Sequence, residues 1–86
     1  MIAVEKQSEK TFEVTVEESG SASHHTVTVE DDYYQKLTGG DISKEELVER
    51  SFEFLLQRES KESILSRFDL PTINRYFPVY EDEISC

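Results

Sequence analysis

The sequence predicts a small α+β domain in which an N-terminal antiparallel β-hairpin packs against three or four helices. Two stretches near the N-terminus, 11–18 and 24–30, alternate between apolar and polar residues, as half-buried strands do. A later stretch, 43–58, repeats its apolar residues at helical spacing and is the longest helix that the sequence predicts. The length of 86 residues fits one domain, so we predict a single unit over 1–86.

The alternating stretches are predicted to be the two strands of the hairpin. One face of each strand carries the residues expected in the core: Phe12, Val14 and Val16 in the first, and His25, Val27 and Val29 in the second. Residues 19–23 contain only serine, glycine and alanine, which indicates a loop of about five residues. A lone hairpin is marginal in water, so helix 43–58 is its expected cover.

The start of helix 43–58 has strong local signals. Ser43 suits the N-cap position, because its hydroxyl can accept a hydrogen bond from a free backbone N–H of the first turn. Glu46 lies where it completes a capping box with Ser43. Glu46 also lies one turn before Arg50, an arrangement that favours an ion pair along the helix.

The apolar residues of helix 43–58 cover an arc of roughly 200°, at about 100° per residue. A surface helix needs an apolar stripe of little more than about 100°. The excess indicates two burial surfaces, one against the strands and one against a later helix or a second chain. Burial in the protein's own core is the main expectation for this stripe, and Phe52, Phe54 and Leu56 are the residues predicted to form the interface if the protein is a homodimer.

Shorter helices are predicted on both sides of helix 43–58, at 31–37, 60–68 and 72–77. The glycine pair at 39–40 ends the first, because glycine tolerates the left-handed conformation of a C-terminal cap. Pro71 suits the first turn of the last. Residues 1–10 and 81–86 are predicted to be flexible ends, of which the first could also form a strand at the edge of the sheet.

The segment 70–80 is rich in large apolar side chains, although little regular structure is predicted for it. Such residues either close the small core or dock on a partner, and aromatic anchors are typical of partner-binding surfaces. The residues predicted to bind a partner are Leu70, Ile73, Tyr76, Phe77 and Tyr80.

The composition is strongly acidic, with 19 Asp and Glu against 9 Lys and Arg and a net charge of −10. This charge argues against broad attraction to nucleic acid or to an anionic membrane, and it permits a basic protein partner. The single cysteine, Cys86, allows no disulfide within the chain, so the cytoplasm is the expected location. No stretch of the sequence approaches the roughly 20 apolar residues of a membrane-spanning helix.

No combination of residues predicts an active site, so we expect a protein that is not an enzyme and uses no cofactor. Carboxylates are abundant, but they lie at positions that we expect to face solvent, where nothing separates the pKa values of two acids. His24 and His25 are adjacent on a strand and therefore point to opposite faces, and no nearby Cys or His completes a metal site. We predict no catalytic, cofactor-binding or metal-binding residue.

Residues 24–58 have a recognisable order of predicted elements. A short strand (HHTVTV) is followed by a short helix (EDDYYQKL), a glycine turn (TGGDIS) and a longer helix (KEELVERSFEFLL). This order resembles the ribbon-helix-helix family of small dimeric regulators and antitoxins. The resemblance implies that strands from two protomers pair into a ribbon that enters the major groove of DNA. It also implies that the second helix forms the dimer core and that the tail binds a toxin.

The leading functional prediction is a non-enzymatic, acidic module that binds a protein partner and regulates a process. The partner is expected to be a protein of basic character or a second copy of this chain, and not a membrane. The alternative, implied by the resemblance, is a dimeric DNA-binding regulator or antitoxin of the ribbon-helix-helix type, for which nucleic acid would be the partner.

Overall fold

Four strands form one sheet, and four helices accompany it, in a computed structural model that describes residues 1–85. The strands are β1 (Ile2–Lys6), β2 (Thr11–Glu18), β3 (Ser21–Thr28) and β4 (Arg67–Asp69). The helices are α1 (Asp31–Thr38), α2 (Lys44–Leu56), α3 (Thr72–Tyr76) and α4 (Tyr80–Ile84), with a short 3-10 turn at Lys61–Ser63. The predicted α+β class is therefore confirmed.

The predicted N-terminal hairpin consists of β2 and β3, which pair antiparallel. Their connection is a two-residue turn, not the loop of five that the composition of 19–23 predicts. Ser19 and Gly20 have φ angles of 54° and 79°, and a tight hairpin turn needs positive φ at both central residues. Residues 21–23 instead continue the ladder, with Ser23 opposite Val16, because pairing with β2 satisfies their backbone groups.

The sheet is larger than a hairpin, because two strands flank it in the order β1–β2–β3–β4. Strand β1 lies within 1–10, the segment predicted to be flexible or edge-forming, and pairs antiparallel with β2. Strand β4 begins at the end of 60–68, where a helix was predicted; apart from the 3-10 turn no helix forms there, so this prediction is wrong. Phe68 is opposite Val27 in a parallel pair that buries its ring, and this long-range pairing overrides a weak local preference for helix.

Helix α2 begins where the capping signals predict. The Glu46 backbone N–H donates to the Ser43 hydroxyl at 3.0 Å, and the Arg50 guanidinium donates to the Glu46 carboxylate at 2.7 Å. The helix ends at Leu56, two residues earlier than predicted, since the N–H groups of residues 58 and 59 both turn back to the Leu55 carbonyl. Among residues 1–85, no helix combines the length and the apolar character needed to cross a membrane.

The core lies between one face of the sheet and the helices. The sheet contributes Phe12, Val14, Val16 and Val27, and α2 contributes Leu47, Val48 and Phe52, all of which are buried. The C-terminal segment, 57–85, closes this core with Leu70, Ile73, Tyr80 and Ile84. Residues 81–84, part of the end predicted to be flexible, belong to α4, and Ile84 is buried in the core.

Candidate functional site

The residues predicted to bind a partner separate into two groups. Leu70, Ile73 and Tyr80 are buried in the chain's own core. Tyr76 is exposed, and Phe77 is half-buried. The division follows from packing, because the Tyr80 and Phe54 rings form an edge-to-face pair with centroids 5.2 Å apart, and Tyr80 is fully buried.

The residues predicted to form a dimer interface are also divided. Phe52 and Phe54 are buried, whereas Leu56 is only half-buried at the end of α2. The Phe52 ring lies 6.0 Å from that of Phe68, and the Phe54 ring lies 6.0 Å from that of Phe77. The C-terminal segment thus covers the wide apolar arc of α2 within a single chain.

An apolar groove opens between the end of α2, the chain before β4, and α3. Its volume is about 160 Å³. Its apolar lining comes from Leu55, Ile64, Leu65, Phe68, Ile73 and Phe77, and Tyr76 and Glu59 also border it. We call this the C-terminal groove. An apolar cavity of about 150 Å³ holds a benzene ring, so the groove has room for one large apolar side chain.

Two of the four exposed large apolar side chains among residues 1–85 line the C-terminal groove. Tyr76 is 66% exposed and Leu65 is 46% exposed, and both line it. Val79 is 48% exposed and follows α3 without lining the groove. Single exposed apolar residues are normal on a protein surface, but a cluster beside an apolar groove is typical of a binding surface.

Leu65 is held in place by the sheet. The His25 Nδ1–H donates to the Leu65 carbonyl at 2.8 Å, and the Ser23 hydroxyl lies 2.8 Å from His25 Nε2. The Thr26 N–H also donates to the Ser66 carbonyl at 2.8 Å. These bonds fix the rim of the groove before any ligand binds, which limits the entropy lost on binding.

Helix α4 is tied to α1 by a small polar cluster. The Tyr33 hydroxyl donates to the Glu81 carboxylate at 2.8 Å, and the Lys36 ammonium lies 3.2 Å from the same carboxylate. The Tyr33 bond and then Lys36 hold the pKa of Glu81 below its usual value. Burial, and then the bond to Glu81, raise the pKa of Tyr33, so that this hydroxyl remains a donor. These contacts hold α4 against α1, which is a structural role.

The two histidines lie apart, as their adjacent positions on a strand predict. His24 is exposed, with its Nδ1 3.3 Å from the Thr15 hydroxyl, while His25 is buried against Phe52. Within residues 1–85, no group of three or more histidine, cysteine or acidic side chains is arranged to hold a metal ion. Cys86 lies outside the described residues.

Sequence reasoning missed Leu65 and Glu59 as residues of the groove. Leu65 lay in a stretch interpreted as helix, and Glu59 follows the end of α2 without any local signal of a site. No family model matches this chain, and the comparisons with curated proteins and with solved structures gave no match either. Function therefore has to be inferred from the chain's own residues.

Proposed function

We propose that this protein is a non-enzymatic binding module that holds a segment of a protein partner in the C-terminal groove. The observation that carries the proposal is the coincidence of an apolar groove with two of the four exposed large apolar side chains among residues 1–85, Tyr76 and Leu65. A cytoplasmic location suits a chain with a single cysteine, because thiols stay reduced there.

The occupant that fits best is a peptide segment with one bulky apolar side chain next to a lysine or arginine. The volume of about 160 Å³ accommodates the apolar side chain. Glu59 is the only charged residue in the described lining of the groove, and the chain as a whole carries a net charge of −10. A positive charge beside the apolar anchor is therefore attracted to the groove and to the surface around it.

A ribbon-helix-helix regulator is less compatible with the geometry. Such a protein needs a strand with a free edge that can pair with the same strand of a second protomer. Residues 24–28 belong to β3, which pairs with β2 on one side and with β4 on the other. The C-terminal segment also covers Phe52 and Phe54, which a dimer core would need. We therefore put forward protein binding and not DNA binding.

A random dodecapeptide phage library selected on the intact protein tests the proposal. We expect enrichment of peptides with an aromatic residue or leucine beside a lysine or arginine. For a selected peptide, Tyr76→Ala and Leu65→Ala should each weaken the affinity measured by fluorescence anisotropy by about tenfold, a typical loss for a central contact.

Val79→Ala is the matched control, because Val79 is about as exposed as Leu65 but does not line the groove. It should change the affinity by less than about twofold. Circular dichroism and urea denaturation establish that each variant is folded. Peptides that bind Tyr76→Ala and Leu65→Ala as tightly as the wild type would show that this groove is not the binding site.

A further inference from the structure

Strand β1 is an open edge of the sheet. Among residues 1–85 it borders β2 alone. The Glu17 N–H donates to the Met1 carbonyl at 2.8 Å, which marks one hydrogen-bonded position of the antiparallel pair. Because bonded and non-bonded positions alternate along such a pair, the N–H and C=O groups of Ile2, Val4 and Lys6 point away from β2. These backbone groups are available to another strand.

A second groove lies at the N-terminal end of this edge, between the starting residues of β1, the end of β2 and one side of α2. Its volume is about 570 Å³. Met1, which is exposed, and Ile2 and Leu56, which are half-buried, contribute apolar surface to it. Glu18, Glu49 and Glu53 contribute exposed carboxylates, and no lysine or arginine lines it. We call this the β1 groove.

The carboxylates of the β1 groove are not neutralised within the chain. None of Glu18, Glu49 and Glu53 takes part in the ion pairs found among residues 1–85, which use other acidic residues. Glu49 and Glu53 are one helical turn apart, and like charges at this spacing repel each other. A positive charge placed between them removes this repulsion.

We propose that the β1 edge takes up an extended, basic segment of a partner protein as a fifth strand, with lysine or arginine side chains beside Glu49 and Glu53. Main-chain hydrogen bonds to Ile2, Val4 and Lys6 supply affinity, and the alternate side chains that face α2 supply specificity. One of these is an apolar residue that contacts Ile2 and Leu56. The site is separate from the C-terminal groove, and it does not depend on what that groove binds.

Charge distinguishes this partner from a second copy of the chain. A copy paired edge to edge would bring a second set of the same carboxylates to the groove, and each chain carries a net charge of −10. Natural sheets use charges beside an open edge to prevent self-pairing. The other edge, β4, has only three residues and offers a much shorter template than the five of β1.

A titration with the synthetic peptide TKTVTKT, followed by nuclear magnetic resonance of the intact protein, tests this proposal. Two lysines and a valine of this peptide face α2 when it extends the sheet, and the threonines favour an extended strand. We expect the amides of Ile2, Val4 and Lys6 to show slower hydrogen exchange, because they gain partners. The peptide TETVTET has the opposite charge and should not bind.

Two variants distinguish the contribution of backbone hydrogen bonds to binding from the contribution of the carboxylates. Val4→Pro removes an N–H that points away from β2, so it should abolish binding while β1 stays paired with β2. Glu49→Lys with Glu53→Lys should weaken binding by at least about tenfold. Asp41→Lys with Asp82→Lys changes the net charge equally at exposed positions outside the groove, and it should weaken binding much less.

Three results would overturn the proposal. The first is no change at the β1 amides when TKTVTKT is added. The second is binding of TKTVTKT as tight as that of the wild type by Val4→Pro, or by the double variant Glu49→Lys with Glu53→Lys, each shown to be folded by circular dichroism. The third is a dimer of the unliganded protein in sedimentation velocity that Val4→Pro converts to a monomer, since a second copy would then occupy the edge.

Discussion

Residues 2–56 and residues 57–85 contribute to the same core by different means. The first region consists of strands and helices of five to thirteen residues, whose apolar side chains recur at regular spacing. The second has elements of three to five residues, yet it buries Phe68, Leu70 and Tyr80. Its order depends on contacts with the first region. A short segment can therefore be as well buried as a long helix when tertiary contacts replace local ones.

The largest loss of stability is expected when either of two fully buried leucines, one in each region, is replaced by alanine. Leu47 lies in α2, and Leu70 follows β4. Replacement of either by alanine should lower the free energy of unfolding by about 2–5 kcal/mol, because each leaves a cavity in the core. Leu65→Ala, at an exposed position, should cost less than about 1 kcal/mol.

Urea denaturation measures the three losses. Equal losses for Leu47→Ala and Leu70→Ala, with one cooperative transition in each case, mean that both regions fold as one unit. If Leu70→Ala cost no more than Leu65→Ala, the second region would not belong to the cooperative core.

An intermediate effect is expected where the two regions share a buried hydrogen bond. The Ser51 hydroxyl donates to the Leu47 carbonyl at 2.8 Å, and it lies 2.7 Å from the Tyr80 hydroxyl, which donates to it. Ser51→Ala leaves the Tyr80 hydroxyl buried without a partner and should cost about 1–3 kcal/mol. Tyr80→Phe should cost less, because Ser51 keeps its bond to Leu47.

A double-mutant cycle measures this coupling. The variant with both Ser51→Ala and Tyr80→Phe should be more stable than Ser51→Ala alone, because no buried hydroxyl then lacks a partner. Additive losses would mean that the hydroxyl pair does not couple α2 to α4.

The smallest loss of stability is expected when the polar contact between α1 and α4 is removed. The pKa of Glu81 is lowered from its usual value of 4.5 by the Tyr33 hydroxyl and Lys36, so its ionised form stabilises the fold. This contribution is present above that value and is lost as the pH falls through the lower pKa of the folded state. Glu81→Gln should therefore reduce stability modestly at pH 7, and the two proteins should converge in acid.

Thermal unfolding between about pH 7 and pH 3 measures the difference for wild type and Glu81→Gln. Asp82→Asn is the matched control, since Asp82 is exposed in the same helix and makes no ion pair among the described residues. A difference between wild type and Glu81→Gln that stays constant with pH would show that the carboxylate charge is not what stabilises the contact.

The site was less predictable than the fold around it. The apolar composition of 70–80 predicted that this segment either closes the core or docks on a partner, and the structure buries Leu70, Ile73 and Tyr80 while leaving Tyr76 exposed. Leu65 and Glu59 could not be found in this way, because the groove joins the end of α2 to a chain segment that the sheet holds in place. The β1 groove could not be found from the sequence for the same reason, since it combines residues from β1 and α2.

The amino-acid sequence by itself determined the elements whose signals are local. Strand β2 follows from alternation, α1 from its acidic start and glycine end, and the start of α2 from the Ser43 cap. Only the tertiary structure decided the two-residue hairpin turn, the parallel strand β4, and which aromatic residues face inward. These features depend on pairs such as Val27 with Phe68 and Ser51 with Tyr80. Such contacts form between residues far apart in the chain, so the local spacing of apolar residues does not predict them.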